Sequence, residues 1–259
     1  MSLDAYKKSW EMRYPKLCSF AGALLILASW ELVCRGFAIP DFILPMPTQI
    51  IRVAIFKAGL LLPHAGTTAL EVLLGICISL AVAVPLSIVM FAHPSVENAI
   101  APFLVASQAV PVFAIAPLLV VWLGYGITSK VLMAAIIIFF PITVNLLEGF
   151  KSCDHEYRIL FQLMGAGFWN TLRLLYWKWA LPHFFAGLKV GVSVATIGAV
   201  IGEWVGAQQG LGYLMIQANA RLRVDLVFAA ILWLSAMGVA MWLFVGFLEK
   251  KIITWKQWS

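Results

Sequence analysis

Few side chains in this sequence can do acid, base or ionic chemistry. Of 259 residues, 12% are charged and 63% are hydrophobic. Glu203 is costly in apolar surroundings, so we expect it to face the interior of a helix bundle or the mouth of a cavity. Lys189 lies deepest in an apolar run, while Glu31, Glu71 and Glu148 fall nearer the ends of such runs. Charges that couple ions are expected near the middle of such runs, and this pattern therefore does not favour ion coupling.

Motifs for catalysis are absent from the sequence. It contains no G-x-x-x-x-G-K-[ST] loop to hold phosphates, no H-E-x-x-H and no G-x-S-x-G. The four cysteines, Cys18, Cys34, Cys77 and Cys153, are scattered without metal-ligand spacing. We therefore predict no enzyme activity, metal or cofactor on this chain, and any ATP chemistry must occur on a separate subunit.

The composition indicates a membrane protein, since a chain this apolar cannot cover a soluble globule with polar surface. The formal net charge is +6, but the basic residues sit mostly at the edges of apolar runs, where membrane orientation explains them. No basic stripe with interleaved aromatic residues is present, so nucleic-acid binding is excluded.

Apolar runs long enough to cross a bilayer predict an all-α polytopic fold with six transmembrane helices. The spans are Leu17 to Cys34, Ala65 to Phe91, Pro102 to Leu123, Thr128 to Phe150, His183 to Val205 and Leu226 to Leu248. The first run is too long for the core of a signal peptide, so we expect an uncleaved span. Residues 1–16 and 249–259 are the predicted termini, and 17–248 the transmembrane domain.

Basic residues predict the orientation. Eleven Lys and Arg residues lie in the termini and in the segment 151–182, whereas six lie on the opposite side. By the positive-inside rule, we expect both termini and this segment to be cytoplasmic.

The segment from Lys151 to Pro182 is a polar and aromatic island with a helix-turn-helix pattern. Its first helix follows Asp154 and Glu156, Gly165-Ala166-Gly167 interrupts the pattern, and Pro182 is the predicted stop of the second helix. From the residues alone, the island is either an amphipathic hairpin lying on the bilayer or a docking site for a soluble partner.

The spacing of three short motifs in and after the island resembles the coupling loop of ABC importer permeases. These motifs are Gly165-Ala166, Leu181-Pro182 and Ala186-Gly187-Leu188. The resemblance implies that the loop docks into a cleft of an ATPase subunit, with Glu156, Gly165, Ala166, Gly167 and Pro182 as coupling residues. The sequence departs from the family where Glu-Ala-Ala is usual, at Ile159, Leu160 and Phe161, and where a proline is usual, at Lys178.

Most of the remaining chain resembles the nitrate, sulfonate and taurine group of these permeases. The matching motifs include Leu44-Pro45-Met46-Pro47 followed by His64, and the run from Pro111 to Lys130. A helix lying on the outer surface is expected around Ile50 to Leu62. The run Gly202 to Ile231, in which Gly206, Gly210 and Gly212 permit a tight backbone, most resembles permeases for the pyrimidine precursor of thiamine.

Polar and kink-forming residues are candidates for a translocation path. Prolines in span three either bend helices that line the path or only shape packing within the bundle. His64 is expected to act as a capping or interfacial histidine. The path candidates are Gln108, Pro111, Pro117, Glu203, Trp204, Tyr213 and Asn219.

The resemblance implies a permease subunit in the lipid bilayer of a bacterial inner membrane. The implied complex contains two permease copies, two ATPase subunits and an extracytoplasmic solute-binding protein. The expected solute is a hydroxymethylpyrimidine-like thiamine precursor, with sulfonate, taurine, nitrate or riboflavin as alternatives. A self-contained secondary transporter or channel is the alternative of another class, and it would place coupling charges near the midplane.

Overall fold

The computed structural model describes residues 15–255, and every regular element in that range is helical. The helices are α1 (Pro15–Gly36), α2 (Pro47–Phe56), α3 (Ala58–Ala92), α4 (Pro94–Ala109), α5 (Val112–Leu123), α6 (Ile127–Lys151), α7 (His155–Leu163), α8 (Phe168–Thr171), α9 (Trp177–Gly206), α10 (Leu211–Ala220) and α11 (Val224–Ile252). A π-helical turn, Leu172–Tyr176, joins α8 to α9 without a break. The all-α prediction is confirmed for this range.

Four helices in the described range are long and apolar enough to cross a membrane. They are α3, α6, the continuous run Phe168–Gly206, and α11. The helices α4 and α5 qualify only as a pair, and they are bent by 99°. Helix α1 covers the predicted first span, whose crossing of the membrane stays a prediction.

The predicted span from Pro102 to Leu123 is not one continuous helix, because the chain bends at Val110 and Pro111. Val110 is extended, with φ −79° and ψ 122°, as expected for a residue that precedes proline. Pro111 is the N-cap of α5, a position where no intrahelical carbonyl needs its missing N–H. The result is a broken span or a re-entrant loop.

The predicted helix stop at Pro182 is wrong, since α9 continues through it. Helix α6 packs closely here: a Cβ added at Gly149 would lie 3.0 Å from the Ala180 Cα. The two helices stay close at Gly187, where an added Cβ would lie 2.6 Å from the Pro141 carbonyl oxygen. Such small-residue contacts let membrane helices pack backbone to backbone, and this packing holds the helix together across the proline.

The core is built around α6, which lies between α3 and α9. Thirteen of its 25 residues are buried, including Ile138, Ile142 and Leu146. Helix α11 packs against α9, and α2 and α10 pack against α11. The start of α6, the end of α9 and the start of α3 therefore lie together with α10 at one end of the bundle.

The predicted surface helix around Ile50 to Leu62 is divided between α2 and the start of α3, which begins before the predicted Ala65. Glu31 of α1 fixes the start of α2, because its carboxylate accepts hydrogen bonds from the Thr48 amide at 3.2 Å and hydroxyl at 2.8 Å. Arg35 donates to the same carboxylate at 2.7 Å. A carboxylate at a helix N-terminus is favourable.

Candidate functional site

A buried polar cluster lies where α3, α6 and α9 meet beside α10. Its members are Thr68, Glu71, Lys130 and Glu203, each at most 2% exposed. The two carboxyl groups and the Lys130 ammonium are near enough to interact electrostatically. Charged groups are rarely buried without partners. The partners of each group therefore determine which of its donors or acceptors could still bind a ligand.

Glu203 holds the N-terminus of α10. Its carboxylate accepts hydrogen bonds from the amide N–H groups of Gly212 and Tyr213 and from the Thr68 hydroxyl, the last at 2.6 Å. It thus lies in the bundle interior, one of the two expected places. A helix N-terminus presents free N–H groups and a partial positive charge, which explains why a buried carboxylate is stable here.

Helix α3 supplies the remaining partners of this N-terminus. The Thr68 hydroxyl oxygen accepts from the Leu211 amide at 2.9 Å, and His64 Nδ1 accepts from the Gly210 amide at 3.1 Å. His64 therefore serves as a cap, as expected. Four consecutive amides, from residues 210 to 213, are satisfied by side chains of α3 and α9.

Lys130 fastens the α5–α6 turn to the end of α9. Its ammonium donates three hydrogen bonds, to the carbonyl oxygens of Tyr125 at 2.6 Å, Gly126 at 2.9 Å and Gly206 at 2.9 Å. A lysine ammonium has three donors. All of its donors are therefore used by backbone carbonyls.

A cavity of about 540 Å³ opens beside this cluster. Glu71 and Lys130 form its charged lining, and most of the other lining residues are polar or glycine. Oε2 of Glu71 is buried and has no hydrogen-bond partner among residues 15–255. The lining consists of Thr67, Glu71, Tyr125, Gly126, Ile127, Lys130, Ala207, Gln208 and Gln209.

The structure brings some of the predicted path residues together and separates others. Tyr213 lies beside His64 and Glu203, with ring centroids of Tyr213 and His64 6.2 Å apart. Trp204 is half exposed and contacts Phe113 of α5, centroid to centroid at 5.9 Å. The others are exposed: Gln108 and Pro111 at the α4–α5 bend, Pro117 within α5, and Asn219 at the far end of α10.

Sequence reasoning did not select Glu71, Lys130 or Thr68 as site residues. A signal was present for α3, because His64, Thr68 and Glu71 follow one another at spacings of four and three residues and therefore share one helix face. Lys130 had no such signal, since its partners are backbone carbonyls.

The second candidate site is the connection between α6 and α9. Asp154 caps α7 by accepting from the Glu156 amide at 3.4 Å. The turn after α7 is a Schellman motif: the Ala166 amide donates to the Phe161 carbonyl, the Gly165 amide donates to the Gln162 carbonyl, and Gly165 has φ +70°. Gly167 follows with φ −67° and precedes α8.

Large apolar side chains surround this turn and are exposed. Leu163 is 81% exposed, Met164 72% and Trp169 71%. Glu156 and Gly165 are exposed as well, whereas Pro182 lies partly buried within α9. The turn therefore presents an apolar surface at the opposite end of α6 from the buried polar cluster.

Comparisons with known proteins show which family the chain resembles. Residues 73–254 match the family described as binding-protein-dependent transport system inner membrane component. The formylaminopyrimidine transport permease protein ThiX of Halalkalibacterium halodurans is 37% identical, over 90% of this chain and 94% of the relative. The riboflavin transport system permease protein RibX of Chloroflexus aurantiacus is 35% identical, over 90% of this chain and 88% of the relative.

A more distant relative is the taurine transport system permease protein TauC of Escherichia coli, 27% identical over 96% of this chain and 93% of the relative. The resemblance to the nitrate, sulfonate and taurine group, with its thiamine-precursor permeases, is thereby confirmed.

Proposed function

The chain belongs to the family of inner membrane components of binding-protein-dependent transport systems, and from that premise we propose that it forms the translocation path for a small aminopyrimidine. It is a permease subunit of an ABC transporter, since a relative that is 37% identical is named a probable ABC transporter permease protein. We place ATP hydrolysis on a separate ATPase subunit.

The α7–α8 turn is the proposed docking site for that ATPase. The observation that carries this assignment is the exposed apolar surface of Leu163, Met164 and Trp169 around a turn of defined backbone geometry. Contiguous exposed apolar residues rimmed by polar ones are typical of protein interaction sites. The complex we propose contains two copies of this permease, two ATPases and an extracytoplasmic solute-binding protein.

Family membership favours this interpretation over a self-contained transporter. The charge predicted to lie deepest, Lys189, is ion-paired with Glu249 of α11 and lies over the Trp242 ring at 5.5 Å. This ion pair joins α9 to α11, so the charge that the sequence places deepest already has a partner within the bundle.

The proposed orientation places both termini in the cytoplasm and α10 outside. Lys7 and Lys256 lie outside the described residues, whereas Arg221 is exposed at the end of α10. Cysteine at position 221 should react with a membrane-impermeant maleimide added to whole cells, and cysteine at position 256 should react only after permeabilisation. The protein without an added cysteine is the control for labelling of the native cysteines. Labelling of 256 but not 221 in intact cells would reverse the topology.

The aminopyrimidine solute is supported by the 37% identity to a formylaminopyrimidine permease, against 27% for a taurine permease. Cells that lack this chain and cannot synthesise the thiamine pyrimidine should fail to grow on formylaminopyrimidine and recover when the gene is restored. Growth on thiamine is the control. Normal growth on the pyrimidine, with loss of riboflavin or taurine uptake instead, would contradict the proposed solute.

A further inference from the structure

The cavity beside the buried polar cluster contains a carboxyl group with incomplete hydrogen bonding. Glu71 is 2% exposed and lines the cavity, yet its Oε2 has no partner among the described residues. The nearby Glu203 differs, because the α10 N-terminus and Thr68 satisfy its carboxylate. An unsatisfied buried acceptor is costly. A ligand that donates a hydrogen bond to Glu71 would remove this cost.

Lys130, the ammonium that the described residues contribute to the cavity, offers no donor to a ligand. Lys130 uses its three N–H groups on the carbonyls of Tyr125, Gly126 and Gly206. The carboxyl groups that interact with it are Glu71 and Glu203. An anion such as a sulfonate would therefore meet carboxyl oxygens without a free cationic donor, which disfavours its binding.

We propose that this cavity is a solute-binding site in which the Glu71 carboxyl group pairs with the amino group and adjacent ring nitrogen of an aminopyrimidine. This inference rests on the proposed function and names the part of the solute that the permease itself recognises.

The Glu71 carboxyl group and the amino and ring-nitrogen edge of an aminopyrimidine are complementary in hydrogen bonding. The amino N–H donates to one carboxyl oxygen, and one proton is shared between the other oxygen and the ring nitrogen, so two parallel hydrogen bonds form whichever partner holds that proton. The exposed amides of Gln208 and Gln209 can bond the remaining polar atoms, and the exposed Tyr125 ring offers a stacking surface. A volume of about 540 Å³ is ordinary for a small-molecule site.

Binding to the permease alone tests the inference, because the solute-binding protein would otherwise mask it. Full-length permease in lipid nanodiscs is titrated with formylaminopyrimidine and, separately, with taurine, using ligand-observed saturation-transfer NMR. The wild type should bind the pyrimidine and not taurine. Glu71→Gln, which replaces one acceptor oxygen by a donor, should weaken pyrimidine binding roughly tenfold or more.

Two further variants separate ligand binding from folding. Asp41→Asn changes an exposed carboxylate whose contact is Gln49, and it should bind the pyrimidine like the wild type. Gln208→Ala with Gln209→Ala changes exposed lining residues and should weaken binding even if Glu71→Gln fails to fold.

Three outcomes would overturn the inference: no pyrimidine binding by the wild type, equal binding of taurine, or unchanged binding by both cavity variants. Cellular uptake distinguishes this failure from failure of the proposed function. If uptake of the pyrimidine depends on the chain but the cavity variants bind normally, the site is wrong and the proposed solute stands.

Discussion

A valine at Gly165 should abolish solute uptake while the permease still inserts into the membrane at normal abundance. Gly165 has φ +70° in the turn after α7, a conformation that costs a β-branched residue about 1–3 kcal/mol. No neighbouring heavy atom lies within 4 Å of an added Cβ. The cost therefore arises from the backbone of the turn, and the core is not disturbed.

A displaced turn matters only if a partner binds it. If the turn inserts into an ATPase cleft, the variant should lose both ATPase co-purification and uptake, because such a contact tolerates little displacement. An amphipathic hairpin lying on the bilayer would accept the added apolar atoms with little effect. Co-purification and uptake at matched membrane abundance distinguish the two interpretations.

Gly167 provides the matched control within the same turn. It also has no heavy atom within 4 Å of an added Cβ, but its φ of −67° is open to any residue. Gly167→Val should retain more ATPase binding than Gly165→Val, and Gly165→Asn should do the same, since asparagine tolerates positive φ. Normal ATPase recovery and uptake in Gly165→Val would refute the coupling assignment.

Hydrophobic run length alone was enough to predict the helices α3, α6 and α11, but it could not predict what each proline does. Pro111 breaks a predicted span, whereas Pro182 lies inside a continuous helix. The difference is tertiary: α6 packs on α9 at Ala180 beside Pro182, while Pro111 and its neighbours Ala109 and Val110 are exposed. A sequence window contains the proline but not the helix that packs against it.

The candidate site could likewise be predicted only in part, because the sequence gives its local spacing but not its long-range contacts. The spacing of His64, Thr68 and Glu71 places them on one face of α3, and Glu203 was identified from its cost in apolar surroundings. The sequence does not show that residues 64 and 68 bond the amides of residues 210 and 211, because these contacts join positions more than 140 residues apart. Those contacts decide which carboxyl oxygens accept hydrogen bonds and leave Oε2 of Glu71 without a partner among the described residues.

Gly210 is the position where a substitution should most disturb the hydrogen bonds between Glu203 and the N-terminus of α10. It has φ +117°, and a Cβ added there would overlap the Glu203 carboxylate. Gly210→Ala should therefore force Glu203 away from the amides of Gly212 and Tyr213. We expect a loss of roughly 2–5 kcal/mol of stability from backbone strain and overpacking, measured as a lower Tm of the detergent-solubilised protein.

Gly126→Ala is the control at the same end of the bundle, because Gly126 has φ −67° and open space around its Cα. Its Tm should stay close to that of the wild type. Combining Gly210→Ala with Glu203→Ala should cost less than the sum of the two single substitutions, since removing the carboxylate also removes the collision. Additive losses, or a wild-type Tm for Gly210→Ala, would show that Glu203 does not hold α10 in the way the structure places it. The loop 207–209, which precedes α10 and lines the cavity with Glu71, would then lose the anchor that this arrangement gives it.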